Sequence, residues 1–153
     1  MYILGISAYF HDSAAALLLD GRVLAAAQEE RFTRIKHDSA FPVNAIHQCL
    51  ATANIGMDEI EYIIFYEKPF WKFERILDSI VSTVPFSFRQ FHLAMPLWFS
   101  KRLWIKSEIQ KKLDFKKTIL FADHHSSHAA SAFYTSNFEE AAVLIIDGVG
   151  EES

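Results

Sequence analysis

The chain has 153 residues, 51% of them hydrophobic, and a formal net charge of −4. That size suits one domain with a core of its own, and the mild acidity argues against an electrostatic nucleic-acid surface. The single cysteine, Cys49, excludes an internal disulfide and points to a reducing compartment; its place in the apolar run Ala45-Ile46-His47-Gln48-Cys49-Leu50 makes it a small buried hydrophobe. Met1 leads straight into a strand-like run and not into a basic n-region. The longest apolar stretches, Ala14 to Leu19, Leu93 to Phe99 and Ala141 to Ile146, fall far short of the roughly 20 residues that span a bilayer. A cytoplasmic protein with no signal peptide and no transmembrane segment is expected.

Tyr2 to Ser7 is a short apolar run rich in β-formers, Ala14 to Leu19 is another, and Asp20-Gly21 is a hairpin dipeptide followed at once by Val23 to Gln28. The opening therefore reads as three antiparallel strands, with the polar loop Ala8 to Ser13 between the first two. Glu29 to Phe41 carries Arg31, Arg34, Lys36 and His37 and reads as an exposed loop ending at Pro42. Val43, Ile46, Leu50 and Ala53 share a helical face in a helix that Gly56 should stop. Ile60 to Tyr66 is a fourth strand. From Lys68 to Leu113 the pattern is helical and rich in aromatics, with Pro85 and Pro96 as breaks. Thr118 to Ala122 is a fifth strand, His124 to Tyr134 a helix, and Ala141 to Asp147 a sixth strand entering the turn Gly148-Val149-Gly150. Antiparallel strands followed by alternating helix and strand predict an α/β fold: a mixed sheet, antiparallel in its first three strands, with flanking helices.

The strongest local signal is Asp123-His124-His125-Ser126-Ser127-His128. Asp123 suits a helix N-cap. His124 and His128 stand at i and i+4, so both imidazoles leave one face, a common divalent-metal pair, although helix-face histidines also serve packing. His125 points about 100° away and should not share that ion. Asp147, an acid at the carboxyl end of a strand before Gly-x-Gly, strengthens the metal reading, and a set of two imidazoles and a carboxylate leaves positions open for substrate. In the loop Ala8 to Ser13, His11 could act as a general base with Asp12 or Ser13 orienting a substrate. The alternative is a self-capped loop whose Asp12 and Ser13 satisfy local amides. The charges of Glu29 to His37 could hold an anion, or form a solvated loop. The aromatic face of Phe88, Phe91, Met95 and Trp98, flanked by Arg89, Lys101 and Arg102, fits packing against the protein or another domain, an acceptor wall, or a membrane surface.

Taken together, Ile3-Leu4-Gly5-Ile6-Ser7, His11-Asp12-Ser13-Ala14-Ala15, Ala26 to Phe32 with Lys36-His37, Asp123 to Phe133 and Asp147-Gly148-Val149-Gly150-Glu151 resemble the nodulation-type O-carbamoyltransferases, which carbamoylate nodulation factors and antibiotic sugars. The resemblance runs from residue 3 to residue 151 and is weakest over 68–113. It implies an actin/hexokinase-like (ribonuclease H-like) fold of two lobes: residues 1–140 as the first lobe with a helical insertion over about 68–113, and 141–153 as the first strand and glycine turn of the second. It also implies a divalent metal, iron or zinc, on His124, His128 and Asp147, and His11 as the active-site histidine. The implied reaction passes a carbamoyl group from carbamoyl adenylate, made from carbamoyl phosphate and ATP by a separate carboxy-terminal domain, to the hydroxyl of a small acceptor. Most of the second lobe and that adenylating domain lie outside these 153 residues, so this stretch alone is expected to be inactive. Other readings are a kinase or threonylcarbamoyl transferase of the same fold, or a non-catalytic metal-binding or interaction fragment.

Overall fold

The computed structural model describes residues 1–84, 91–92 and 104–146. The chain divides into two compact units, Met1–Tyr66 with Leu113–Phe121, and Glu67–Lys112 with Ala122–Ser153.

The first unit is built on a five-stranded mixed sheet. Strands β1 (Tyr2–Ser7), β2 (Ala14–Leu19) and β3 (Arg22–Gln28) form the expected antiparallel meander, and β4 (Ile60–Phe65) and β5 (Thr118–Phe121) extend it in parallel, in the order β3-β2-β1-β4-β5. The β2–β3 turn works because Asp20 and Gly21 both adopt positive φ, 49° and 81°, which matches the right-handed twist of the flanking strands. Leu4, Ile6, Ala15, Leu17, Ile63 and Phe65 are buried, at alternate positions on their strands as a pleated sheet with one covered face requires.

Helix α2 (Val43–Ala53), which follows the single turn α1 (Glu30–Thr33), covers β2 and β3. Its buried face is Ala45, Ile46, Cys49 and Leu50, and Cys49 Sγ lies 3.5 Å from the Ala15 carbonyl. Burial in this apolar setting pushes the Cys49 thiol pKa up. Val43, expected on the inner face, is 42% exposed. The helix ends at Ala53 as expected, but the residue that stops it is Asn54 and not Gly56: Asn54 takes the left-handed conformation and donates its N–H to Ala51, leaving Gly56 to open a 3₁₀ turn, Met57–Glu59.

The charged segment after β3 is exposed over much of its length, as its composition suggests, but it is anchored at three buried points. Glu29, Asp38 and Phe41 are buried. Pro42 at the start of α2 has no side-chain oxygen to cap the helix, and the Glu29 carboxylate takes that role from 15 residues away. It accepts from Asn44 N at 3.2 Å, Asn44 Nδ2 at 2.7 Å and Ala45 N at 2.8 Å, satisfying two of the free first-turn amides.

In the second unit, α3 (Pro69–Ser82), α4 (Ile105–Leu113) and α5 (His124–Phe133) are helical. Ile80, Ile105 and Ile109 are buried, whereas Phe70 and Trp104 are mostly exposed. Pro85, Phe86, Phe88, Arg89, Met95, Pro96, Trp98, Phe99, Lys101 and Arg102, on which the aromatic-face readings rest, lie outside the described residues. The expected strand from Ala141 is not formed over 141–146, which carry no regular structure and expose Leu144 and Ile146. A strand exists through its ladder, and 141–146 take no part in the sheet's pairing. No described helix is long and apolar enough to cross a membrane.

Candidate functional site

In the first unit, the loop after β1 is held by backbone bonds to the segment before α2. Tyr9 N donates to Ser39 O at 2.9 Å, Ser13 N to Asp38 O at 2.8 Å, and Glu29 N to Ser13 O at 2.8 Å. Asp38 is itself fixed by Thr33 Oγ1 at 2.7 Å and Ala40 N at 2.8 Å. These bonds, Ala40's N–H first and Thr33's hydroxyl second, hold the Asp38 carboxyl below its ordinary value.

Within this frame the Asp12 carboxylate lies between two imidazoles. Its Oδ2 is 2.8 Å from His11 Nδ1 and its Oδ1 is 2.9 Å from His37 Nδ1. The hydrogen bond from His37, then that from His11, lowers the Asp12 pKa. His37 N donates to Glu30 Oε2 at 3.0 Å, which ties the second imidazole to α1. Among the described residues, Asp12, Glu30 and His37 also bring three donor atoms within 4.8 Å of one another, close enough to share a cation.

Sequence reasoning placed Glu30 and His37 in a charged segment that could hold an anion, but it did not foresee their meeting with Asp12. The available signal was that Lys36-His37 falls in one of the blocks carrying the family resemblance. What hid their role was distance along the chain, 25 residues between Asp12 and His37.

In the second unit, Asp123 caps α5 by accepting from Ser126 N at 3.1 Å, and Lys68 Nζ stands 3.9 Å from its other carboxylate oxygen. His124 and His128 leave the same face of α5, with Nε2 atoms 3.2 Å apart and rings perpendicular at 4.7 Å. Two nitrogens at about 2.0–2.1 Å from one zinc-sized ion lie about 2.8–3.0 Å apart at octahedral angles and about 3.3–3.4 Å apart at tetrahedral ones, so the pair fits one coordination sphere. Asp147, the expected third ligand, lies outside the described residues. The two clusters belong to different units.

The sequence matches the family described as Carbamoyltransferase N-terminus over residues 2–153. An uncharacterized protein of Synechocystis sp., sll1178, is 52% identical over 98% of this chain and 26% of its own length. Nodulation protein NolNO of Sinorhizobium fredii is 34% identical over 94% of this chain and 20% of its own. The chain thus spans about a quarter or less of these curated relatives. Among solved structures, the activator of the 2-hydroxyisocaproyl-CoA dehydratase from Clostridium difficile with bound ADPNP aligns over 43% of this chain and 24% of that one, at 15% identity and a TM-score of 0.32; a likeness so slight bears on neither fold nor ligand. With the match running through every block described above, the chain belongs to the carbamoyltransferase amino-terminal family.

Proposed function

We propose that this chain is the amino-terminal part of an O-carbamoyltransferase, contributing the first lobe of an actin/hexokinase-like domain over residues 1–140 and the opening of a second lobe over 141–153. The enzyme transfers a carbamoyl group from carbamoyl adenylate, made from carbamoyl phosphate and ATP, to a hydroxyl of a sugar or natural-product acceptor, in the cytoplasm. The observation that carries this reading is the family match over residues 2–153.

In this reading the residues of the chain divide the work. His11 takes the acceptor hydroxyl's proton as the oxygen attacks the carbamoyl carbon. A neutral imidazole is suited to that step near pH 7. The clamped loop keeps His11 at a fixed place, so the acceptor meets a pre-set base. His124 and His128, with Asp147, would hold a divalent ion, and the spacing of the two imidazoles fits one. When bound, such an ion supplies charge for a phosphate oxygen and polarises the reacting group.

The test uses the protein that carries this chain, incubated with carbamoyl phosphate, ATP and a panel of glucose, N-acetylglucosamine oligomers and an aminoglycoside. Carbamoyl phosphate-dependent AMP release together with a carbamoylated sugar is expected. AMP release that ignores carbamoyl phosphate, or none at all, would refute the reading.

A further inference from the structure

We propose that Asp12 and His37 are positioning residues that set the tautomer of His11: the Asp12 carboxylate, pinned on its far oxygen by His37, keeps the proton of neutral His11 on Nδ1 and leaves Nε2 as its basic nitrogen. The catalytic half of this inference rests on the reading of His11 as the base; the structural half does not.

An ionised carboxylate can only accept, so a ring nitrogen 2.8 Å from Asp12 Oδ2 must carry a hydrogen, and the same holds for His37 Nδ1 at 2.9 Å from Oδ1. The bond made by one ring nitrogen fixes the state of the other. A carboxylate held on one side only could still turn about its broad terminal torsion; His37 on the second oxygen removes that freedom. His37 in turn is fixed through its backbone N–H to Glu30.

The backbone is bent to this arrangement. Asp12 and His37 both sit in the left-handed region, at φ 51° and 56°, uncommon outside glycine, with Asp, Asn and His the residues that tolerate it best. A loop that merely capped itself would bring backbone amides to the Asp12 oxygens. Among the described residues, the hydrogen bonds to those oxygens come from the two imidazoles. The His11 and His37 side chains are 60% and 63% exposed, so water competes with these bonds. The effect on transfer should therefore be nearer 10²-fold than the roughly 10⁴-fold seen when the carboxylate of a buried catalytic triad becomes an amide.

The substitutions are chosen to keep the backbone. Asn tolerates positive φ as Asp does, so Asp12→Asn preserves the loop while its amide can donate to Nδ1 and push the ring proton to Nε2. At position 37, Asn places a donor where His Nδ1 stands, whereas Asp places a second carboxylate there. Long-range ¹H–¹⁵N NMR on ¹⁵N-histidine-labelled protein reads the tautomer directly, with His11 identified by its loss in His11→Ala. Nδ1–H is expected in the unmodified protein and in His37→Asn, Nε2–H in Asp12→Asn, and a mixture in His37→Asp. Nε2–H in the unmodified protein, or an unchanged His11 in Asp12→Asn, would overturn the proposal. With carbamoyl phosphate, ATP and the same sugar panel, Asp12→Asn should lower carbamoylated product about 10²-fold and add no further loss in a His11→Ala background. If His11→Ala abolishes transfer while Asp12→Asn transfers at the unmodified rate, positioning is overturned. If His11→Ala itself transfers at the unmodified rate, the base reading fails, and the tautomer measurement still decides the structural half.

Discussion

Replacing Glu29 with alanine removes a side chain only 2% exposed that holds the first turn of α2 together. Three donors lose their acceptor: the backbone N–H groups of Asn44 and Ala45 and the Asn44 amide, at 2.7–3.2 Å. Hydrogen bonds to a charged group contribute about 1.5–3 kcal/mol each, but three on one carboxylate do not add. Water can reach the part-buried Asn44 donors after truncation, which leaves the buried Ala45 bond as the main loss. Adding about 0.3–1 kcal/mol for the anion at the helix N-terminus, Glu29→Ala should cost roughly 3 kcal/mol. Glu29→Gln, which keeps one acceptor oxygen and loses the charge, should cost about half of that. The assay is urea unfolding at neutral pH, read as a shift of midpoint at constant slope, together with hydrogen exchange at the Ala45 amide. A loss below about 0.5 kcal/mol for Glu29→Ala, the range of an ordinary surface change, would refute the long-range cap.

The Asp38 carboxyl is held below its ordinary value in the folded state, so its contribution to stability is present above about pH 4 and is lost as pH falls through the folded value; Asp38→Asn should flatten the pH dependence of the urea midpoint below about pH 4. His124→Ala or His128→Ala should lower metal affinity by more than the roughly 10–100-fold that losing an outer-shell partner costs, measured as bound metal after dialysis, and His125→Ala should not. Asp123→Ala should cost about 1 kcal/mol as a lost N-cap, checked by the same unfolding assay.

The sheet was legible because its signals are local. The Asp20-Gly21 turn and the apolar runs on either side define the meander without help from distant residues, and the helix-strand alternation after residue 42 implies the parallel extension. The His124–His128 pair was legible for the same reason, since i and i+4 is a property of one helix. What escaped was long-range. Nothing near Glu29 says that it will cap a helix 15 residues on, and nothing near His37 says that its ring will meet Asp12. The run from Ala141 misled because apolar composition describes only half of a strand, the other half being the edge that it pairs with.

The placement of β1 has a consequence for how the chain is made. β1 and β2 leave the ribosome close together and pair quickly, but the other edge of β1 is reserved for β4, whose last residue is Phe65. The roughly forty residues from Gln28 to Phe65 take about 2–8 s to synthesise at 5–20 residues per second. For that interval the nascent meander carries an open edge of Tyr-Ile-Leu-Gly-Ile-Ser, apolar and free of charge, which is a template for any strand that meets it. Slower translation before residue 65 should therefore raise aggregation, and chaperones that shield nascent strands should matter more here than for a meander whose leading strand lies at the sheet's rim.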